Sequence, residues 1–166
     1  MGYNTQIKNK IVDFGELSLL LDQWKNKGLT IVFSNGCFDL LHPGHVDYLS
    51  KARNLGDKLI IGLNTDNSVQ RLKGENRPIQ KETTRAIMLA AFAFVDAVIL
   101  FDEDTPLQII SKILPDILVK GSDYSVDQIV GSDVVLEHGG RIETIDFLEG
   151  FSTSAIIDKI RNMKDL

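Results

Sequence analysis

Apolar residues follow two rhythms along the chain. Short runs that are apolar at nearly every position lie at 30–33, 59–63, 97–101 and 117–119, with a more mixed run at 141–145. Between them, apolar residues recur every three or four positions, the spacing of one helix face. The runs predict strands covered on both sides. The spaced stretches predict helices over residues 17–24, 46–55, 82–94, 106–114, 131–138 and 152–160. Gly56 suits the C-cap of the second of these, and a hydroxyl of Ser152-Thr153-Ser154 suits the N-cap of the last. Residues 70–81, rich in charge and holding Gly74 and Pro78, predict a mobile loop. The acidic run Asp102-Glu103-Asp104 predicts the cap of the helix starting near Pro106.

Strand and helix alternate, which is the pattern of an α/β fold. Helical crossovers require parallel strands and right-handed connections. The expected architecture is a Rossmann-like, doubly wound, five-stranded parallel sheet in the order 3-2-1-4-5. Ligands of such sheets bind beyond the carboxyl ends of the strands. Function is therefore expected just after each strand, at residues 34–45, 64–66, 120–124 and 147–154.

The length of 166 residues fits one domain, with residues 1–10 expected as a flexible extension. A content of 43 % hydrophobic and 25 % charged residues excludes disorder and coiled coil as the governing class. The formal net charge of −5 leaves no broad basic footprint, so neither nucleic acid nor an anionic membrane is expected as a partner. Cys37 is the single cysteine, which excludes an internal disulfide framework and fits a reducing compartment. With no run near the ~18 apolar residues of a membrane span and no signal-peptide pattern at residues 1–10, a cytoplasmic location is expected.

Chemistry concentrates in Ser34-Asn35-Gly36-Cys37-Phe38-Asp39-Leu40-Leu41-His42-Pro43-Gly44-His45, which holds two of the chain's three histidines. Pro43 suits a first helical turn, and Gly44 permits close approach to the backbone. Two imidazoles, a hydroxyl and free N–H groups at a helix N-terminus make an anion site. Two other readings of the same residues are a helix entry with two surface histidines and a metal site of Cys37, Asp39, His42 and His45. Neither GxGxxG nor GxxxxGK[ST] occurs, which disfavours a dinucleotide dehydrogenase or a P-loop enzyme.

Ser34 to Asp39 followed by His42-Pro43-Gly44-His45 resembles the HxGH signature of the cytidylyltransferase-like nucleotidyltransferases. The likeness continues through Asn64-Thr65-Asp66, Arg71-Leu72-Lys73-Gly74, Arg77-Pro78, Leu118 to Tyr124 and Ser152-Thr153-Ser154. Over nearly the whole chain it is similar to the adenylyltransferase domains of ADP-heptose synthases. The resemblance implies transfer of AMP from ATP to a sugar 1-phosphate, D-glycero-β-D-manno-heptose 1-phosphate, giving ADP-heptose and pyrophosphate for lipopolysaccharide. It implies magnesium with the ATP and no dedicated protein cage for the metal. A homodimer and a separate sugar kinase upstream are also implied. His42 and His45 would hold the ATP phosphates, with Ser34 as support and Gly44 packed under the nucleotide. Lys73 would neutralise charge at the α-phosphate, assisted by Arg77. Asn35, Gly36, Phe38, Lys120, Gly121 and Ser152-Thr153-Ser154 would line the nucleotide site. Asp39, Asp66, Asp123 and Tyr124 would meet the sugar phosphate. A cytidylyltransferase for glycerol 3-phosphate, sharing Arg71-x-Lys73-Gly74, is the alternative enzyme. A nucleotide-binding protein without catalysis is the alternative outside enzymes.

Overall fold

The computed structural model describes residues 2–123 and 125–163. Its sheet holds β1 (Ile31–Gly36), β2 (Lys58–Asn64), β3 (Ala97–Phe101), β4 (Ile117–Gly121) and β5 (Arg141–Ile145). Every pairing is parallel and the order is β3-β2-β1-β4-β5. This is the expected order. The helices are α1 (Tyr3–Lys8), α2 (Phe14–Asn26), α3 (Pro43–Arg53), α4 (Asp66–Lys73), α5 (Glu82–Ala90), α6 (Leu107–Ile113), α7 (Ser132–Glu137) and α8 (Thr153–Asn162).

The strands alternate side chains between two cores, because successive residues of a strand point to opposite faces. Ile31 and Phe33 of β1 join Ile60, Ile99 and Leu118 in a core covered by Leu17 and Leu21 of α2 and Ile110 and Ile113 of α6. Val32 joins Ile61, Leu63, Val98 and Val119 on the other face, under Leu49 and Ala52 of α3 and Leu89 of α5. Apolar residues were needed on both faces, and the near-continuous runs supply them.

Four local departures from the sequence expectations share one cause, long-range pairing. β1 does not stop at Phe33, because Ser34, Asn35 and Gly36 pair with Ile61, Gly62 and Leu63 of β2. Residues 70–73, expected in a loop, are the end of α4. That helix buries only Ser68 and Val69, starts on a Thr65 side chain accepting from the Ser68 N–H, and stops at Gly74 with φ of 92°. Residues 1–10, expected as a flexible extension, carry α1, and Lys10 Nζ donates to the Phe92 carbonyl at 3.0 Å while Ile11 bridges to Val98. The acidic run does not cap α6. Pro106 occupies that N-cap, Asp104 pairs with Arg71 at 2.7 Å, and Asp102 accepts from Thr65 Oγ1.

Candidate active site

α3 begins at the carboxyl end of β1, with His42 as its extended N-cap, Pro43 in the first turn and His45 one turn on. Residues three apart on a helix are neighbours, and the two imidazoles stack with centroids 3.8 Å apart. Gly44 permits this. A Cβ there would lie 3.0 Å from His42 Nδ1 and 3.3 Å from Phe151 Cβ. The Phe38 ring meets His45 edge-on at 5.4 Å, from a backbone with φ of 44°. Nδ1 of His42 and Nδ1 of His45 are both buried without a hydrogen-bond partner among the described residues. Buried polar atoms in native proteins are nearly always paired, so these two nitrogens are exceptions, and a ligand would meet the rings at their other nitrogen, Nε2.

Burial lowers the pKa of both rings. His45 falls to about 4, through burial first and then the neighbouring His42 and Lys73 charges. Both are neutral at pH 7, each with one N–H to donate. The unfolded chain protonates its histidines near the ordinary value of about 6.5. It therefore binds more protons than the native state between about 6.5 and 4. Native stability should fall as pH drops through that window, and His45→Asn should flatten the dependence. Urea unfolding at pH 7 and pH 5 reads it, and equal slopes in both proteins would refute the assignment.

His45 opens onto a cleft of about 490 Å3 over the ends of β1 and β4. Asn35, Gly36, Phe38, Asp39, Lys73, Arg77, Lys120, Gly121, Asp123 and Thr153 line it, as do Cys37, Tyr48, Leu72 and Phe147. Lys73 comes from the last turn of α4 and makes no ion pair among the described residues. Lys120, at the end of β4, is lowered to about 8 because burial outweighs the attraction of Asp123 and Cys37, and its Nζ donates to Asn35 Oδ1. Gly121 leaves room for Phe147, whose Cζ is 2.2 Å from where a Cβ would stand. A larger cavity of about 620 Å3 lies at the β3 edge, where Arg71 is paired with Asp102 and Asp104. It contains neither histidine nor the two cleft lysines.

Several expected site residues are occupied by the fold itself. Ser34 is fully buried, and its hydroxyl donates to Tyr48 Oη at 2.9 Å while Tyr48 donates to the Val119 carbonyl at 3.1 Å. That chain ties β1, α3 and β4 under the cleft. Asp39 sits in the wall with its oxygens accepting from Arg77 Nε at 2.7 Å and from the Ile79 and Gln80 N–H groups. Burial would raise its pKa, but these bonds hold it below the usual value. Spent in this way, Asp39 is unavailable to the metal site of the alternative reading, and no group of three or more His, Cys, Asp or Glu suited to a metal converges among the described residues. Asp66 lies outside the cleft lining, bonded to Arg85 at 2.8 Å and to the Glu82 N–H. Ser152 caps α8 by accepting from the Ala155 N–H, as the hydroxyl reading predicts, and Thr153 Oγ1 donates to the Leu40 carbonyl. Ser154 follows in the first turn, outside the lining, and Tyr124 lies outside the described residues.

Arg85 is the residue the sequence concealed. In a helix of mixed polarity it reads as a solvated charge, yet its side chain is fully buried. It donates to the Cys37 and Gln80 carbonyls and to Asp66, joining the His42 loop to the loop that follows Lys73. Arg85→Met strands two carbonyls and should cost about 2 kcal/mol, since an unsatisfied buried polar group costs about 1–3 kcal/mol. Thermal unfolding checks this, and an unchanged midpoint would contradict it. Tyr48 had a readable signal, being three residues past His45 on the same helix face; Phe147 had only its place after β5.

The cytidylyltransferase-like family profile matches residues 33–159. The chain is 55 % identical over 152 residues to the bifunctional protein HldE of Rhodospirillum rubrum, covering 92 % of this chain and 31 % of that protein. It is 57 % identical over 164 residues to the HldE protein of Campylobacter jejuni strain RM1221, covering 99 % and 33 %. The chain thus spans about a third of the length of these relatives. A crystal structure of a lipopolysaccharide core biosynthesis protein from Thermoplasma volcanium superposes with a TM-score of 0.60 at 29 % identity, over 73 % of this chain and 98 % of that one. His42 lies outside the cleft lining and reaches it only through its stack on His45. The profile covers His45, Lys73 and Lys120, which converge in the cleft, together with His42 behind them, and on that ground the chain belongs to the cytidylyltransferase-like family.

Proposed function

We propose that the chain transfers AMP from ATP to heptose 1-phosphate, releasing pyrophosphate. The observation that carries the reading is the stacked His42–His45 pair at a helix start, with His45 opening onto the cleft that Lys73 and Lys120 line. The long matches to HldE proteins and the structural likeness to a lipopolysaccharide core biosynthesis protein support the choice of a heptose acceptor.

The acceptor is already an anion, so no general base is needed. A phosphate oxygen of the acceptor attacks the α-phosphorus of ATP; the new P–O bond forms as the bond to the β-phosphate oxygen breaks, and its electron pair leaves with pyrophosphate. Positioning and charge neutralisation suffice for such a transfer. His42 and His45 donate to phosphate oxygens at the helix N-terminus, where N–H groups and the helix dipole favour negative charge. Lys73 neutralises charge that grows in the transition state, while Arg77, expected to assist it, is held in the cleft wall by its pairing with Asp39. Asp123, a carboxylate in this lining, would hold magnesium, which would supply further charge neutralisation when bound with ATP.

A sugar kinase supplies the 1-phosphate in this reading, ATP use fits the cytoplasm, and the working unit is a homodimer. Among the described residues no helix is long and apolar enough to cross a membrane. The test crosses ATP and CTP, with magnesium, against heptose 1-phosphate, glycerol 3-phosphate and hexose 1-phosphates. Pyrophosphate release with ATP and heptose 1-phosphate alone is the expected result. Release with CTP and glycerol 3-phosphate would replace the proposal.

A further inference from the structure

A second cavity of about 200 Å3 opens beside the cleft and shares Asn35, Leu72 and Lys120 with it. It lies beyond the carboxyl ends of β1 and β2, between the entry to α6 and the residues after β4. Apart from Lys120 and Asp104, its polar wall is neutral, formed by the carboxamides of Asn35, Asn64 and Gln128 and the Thr105 hydroxyl. The one carboxylate there, Asp104, is paired with Arg71 at 2.7 Å. A carboxamide donates and accepts, and so does each hydroxyl of a sugar. Such a wall therefore suits a polyol, and its single cation, Lys120, stands at the boundary with the cleft, where it can meet one phosphate.

Asn64 is the firmest part of the wall. It is 4 % exposed, and its amide donates to Ser68 Oγ at 2.9 Å while Ser68 donates to the Glu103 carbonyl at 3.2 Å. The Asn64 carbonyl oxygen has Cys37 Sγ at 4.0 Å, a weak donor at long range. A buried acceptor held in place and poorly satisfied calls for a hydroxyl donor. Lys120 stands on the boundary between the two spaces.

We propose that this cavity binds the polyol part of the acceptor. Asn64, Thr105 and Gln128 bond its hydroxyls, and Lys120 takes its phosphate at the shared wall, leaving the larger cleft to the nucleotide. The assignment rests on the transfer reaction proposed above and adds where the acceptor sits and what selects it.

Gln128 and Thr105 are exposed, so Gln128→Leu and Thr105→Val leave the core untouched; Asn64→Ala probes the buried acceptor. KM is measured separately for heptose 1-phosphate and for ATP. Gln128→Leu should raise the acceptor KM about tenfold, as expected for one lost hydrogen bond of about 1.4 kcal/mol, with ATP KM within twofold. A rise in ATP KM instead, or no change in either, overturns the proposal. If the wild-type protein turns over a different phosphate acceptor, the heptose reading fails, and the same KM split with that acceptor still decides the cavity. If no acceptor is turned over, calorimetric titration of heptose 1-phosphate into the protein with ATP decides it. Binding lost in Gln128→Leu supports the assignment, and equal or absent binding refutes it.

Discussion

Alanine at His42 or at His45 is expected to lower turnover about 100-fold, the usual loss when one preorganised transition-state donor is removed. A factor of 100 corresponds to about 2.7 kcal/mol of activation free energy. The two rings stack at 3.8 Å and share a helix turn, so they act as a unit. The double variant should therefore fall by much less than the product of the single losses. Folding should survive, because each truncation removes a buried nitrogen that has no protein partner. Pyrophosphate release under saturating ATP and acceptor measures the effect. A double variant with full turnover would dismantle the site.

Lys73→Ala should also lower kcat about 100-fold, with ATP KM moving only a few-fold, because charge on the phosphate oxygens grows during transfer. Lys73 ends α4, just before Gly74 with φ of 92°, and reaches the cleft without an ion pair among the described residues. Nothing in the fold consumes its ammonium. The contrast is Arg71, two residues earlier on the same helix, whose guanidinium is paired with Asp102 and Asp104. Arg71→Ala should leave the kinetics of transfer nearly intact. Single-turnover rates distinguish the two, and an unchanged Lys73→Ala rate would make that lysine a solvated loop residue.

Much of this site was legible because its parts are local. His42, Pro43, Gly44 and His45 declare a helix start by their order, and β1 to β5 declare themselves by apolar continuity. Helical crossovers then leave few topologies, and the observed β3-β2-β1-β4-β5 order is the expected one. From that order alone, Ser34 to His45 and Lys120 to Asp123 could be placed on one edge of a cleft.

What stayed hidden depends on partners distant in the chain. α4 has Val69 and Leu72 as its only apolar residues, a single pair at helical spacing in a charged stretch, yet it delivers Lys73. Asp39, a plausible ligand by composition, is consumed by Arg77, Ile79 and Gln80 some forty residues away. Arg85 is drawn under the loops by Cys37 and Asp66. The sequence by itself determined the fold class and the helix start at His42-Pro43-Gly44-His45, since short-range spacing and hydrophobic burial encode them. Tertiary structure alone decided which charges remain available to a ligand, because an ionic or hydrogen-bonding side chain is free or spent according to neighbours that sequence separation does not reveal.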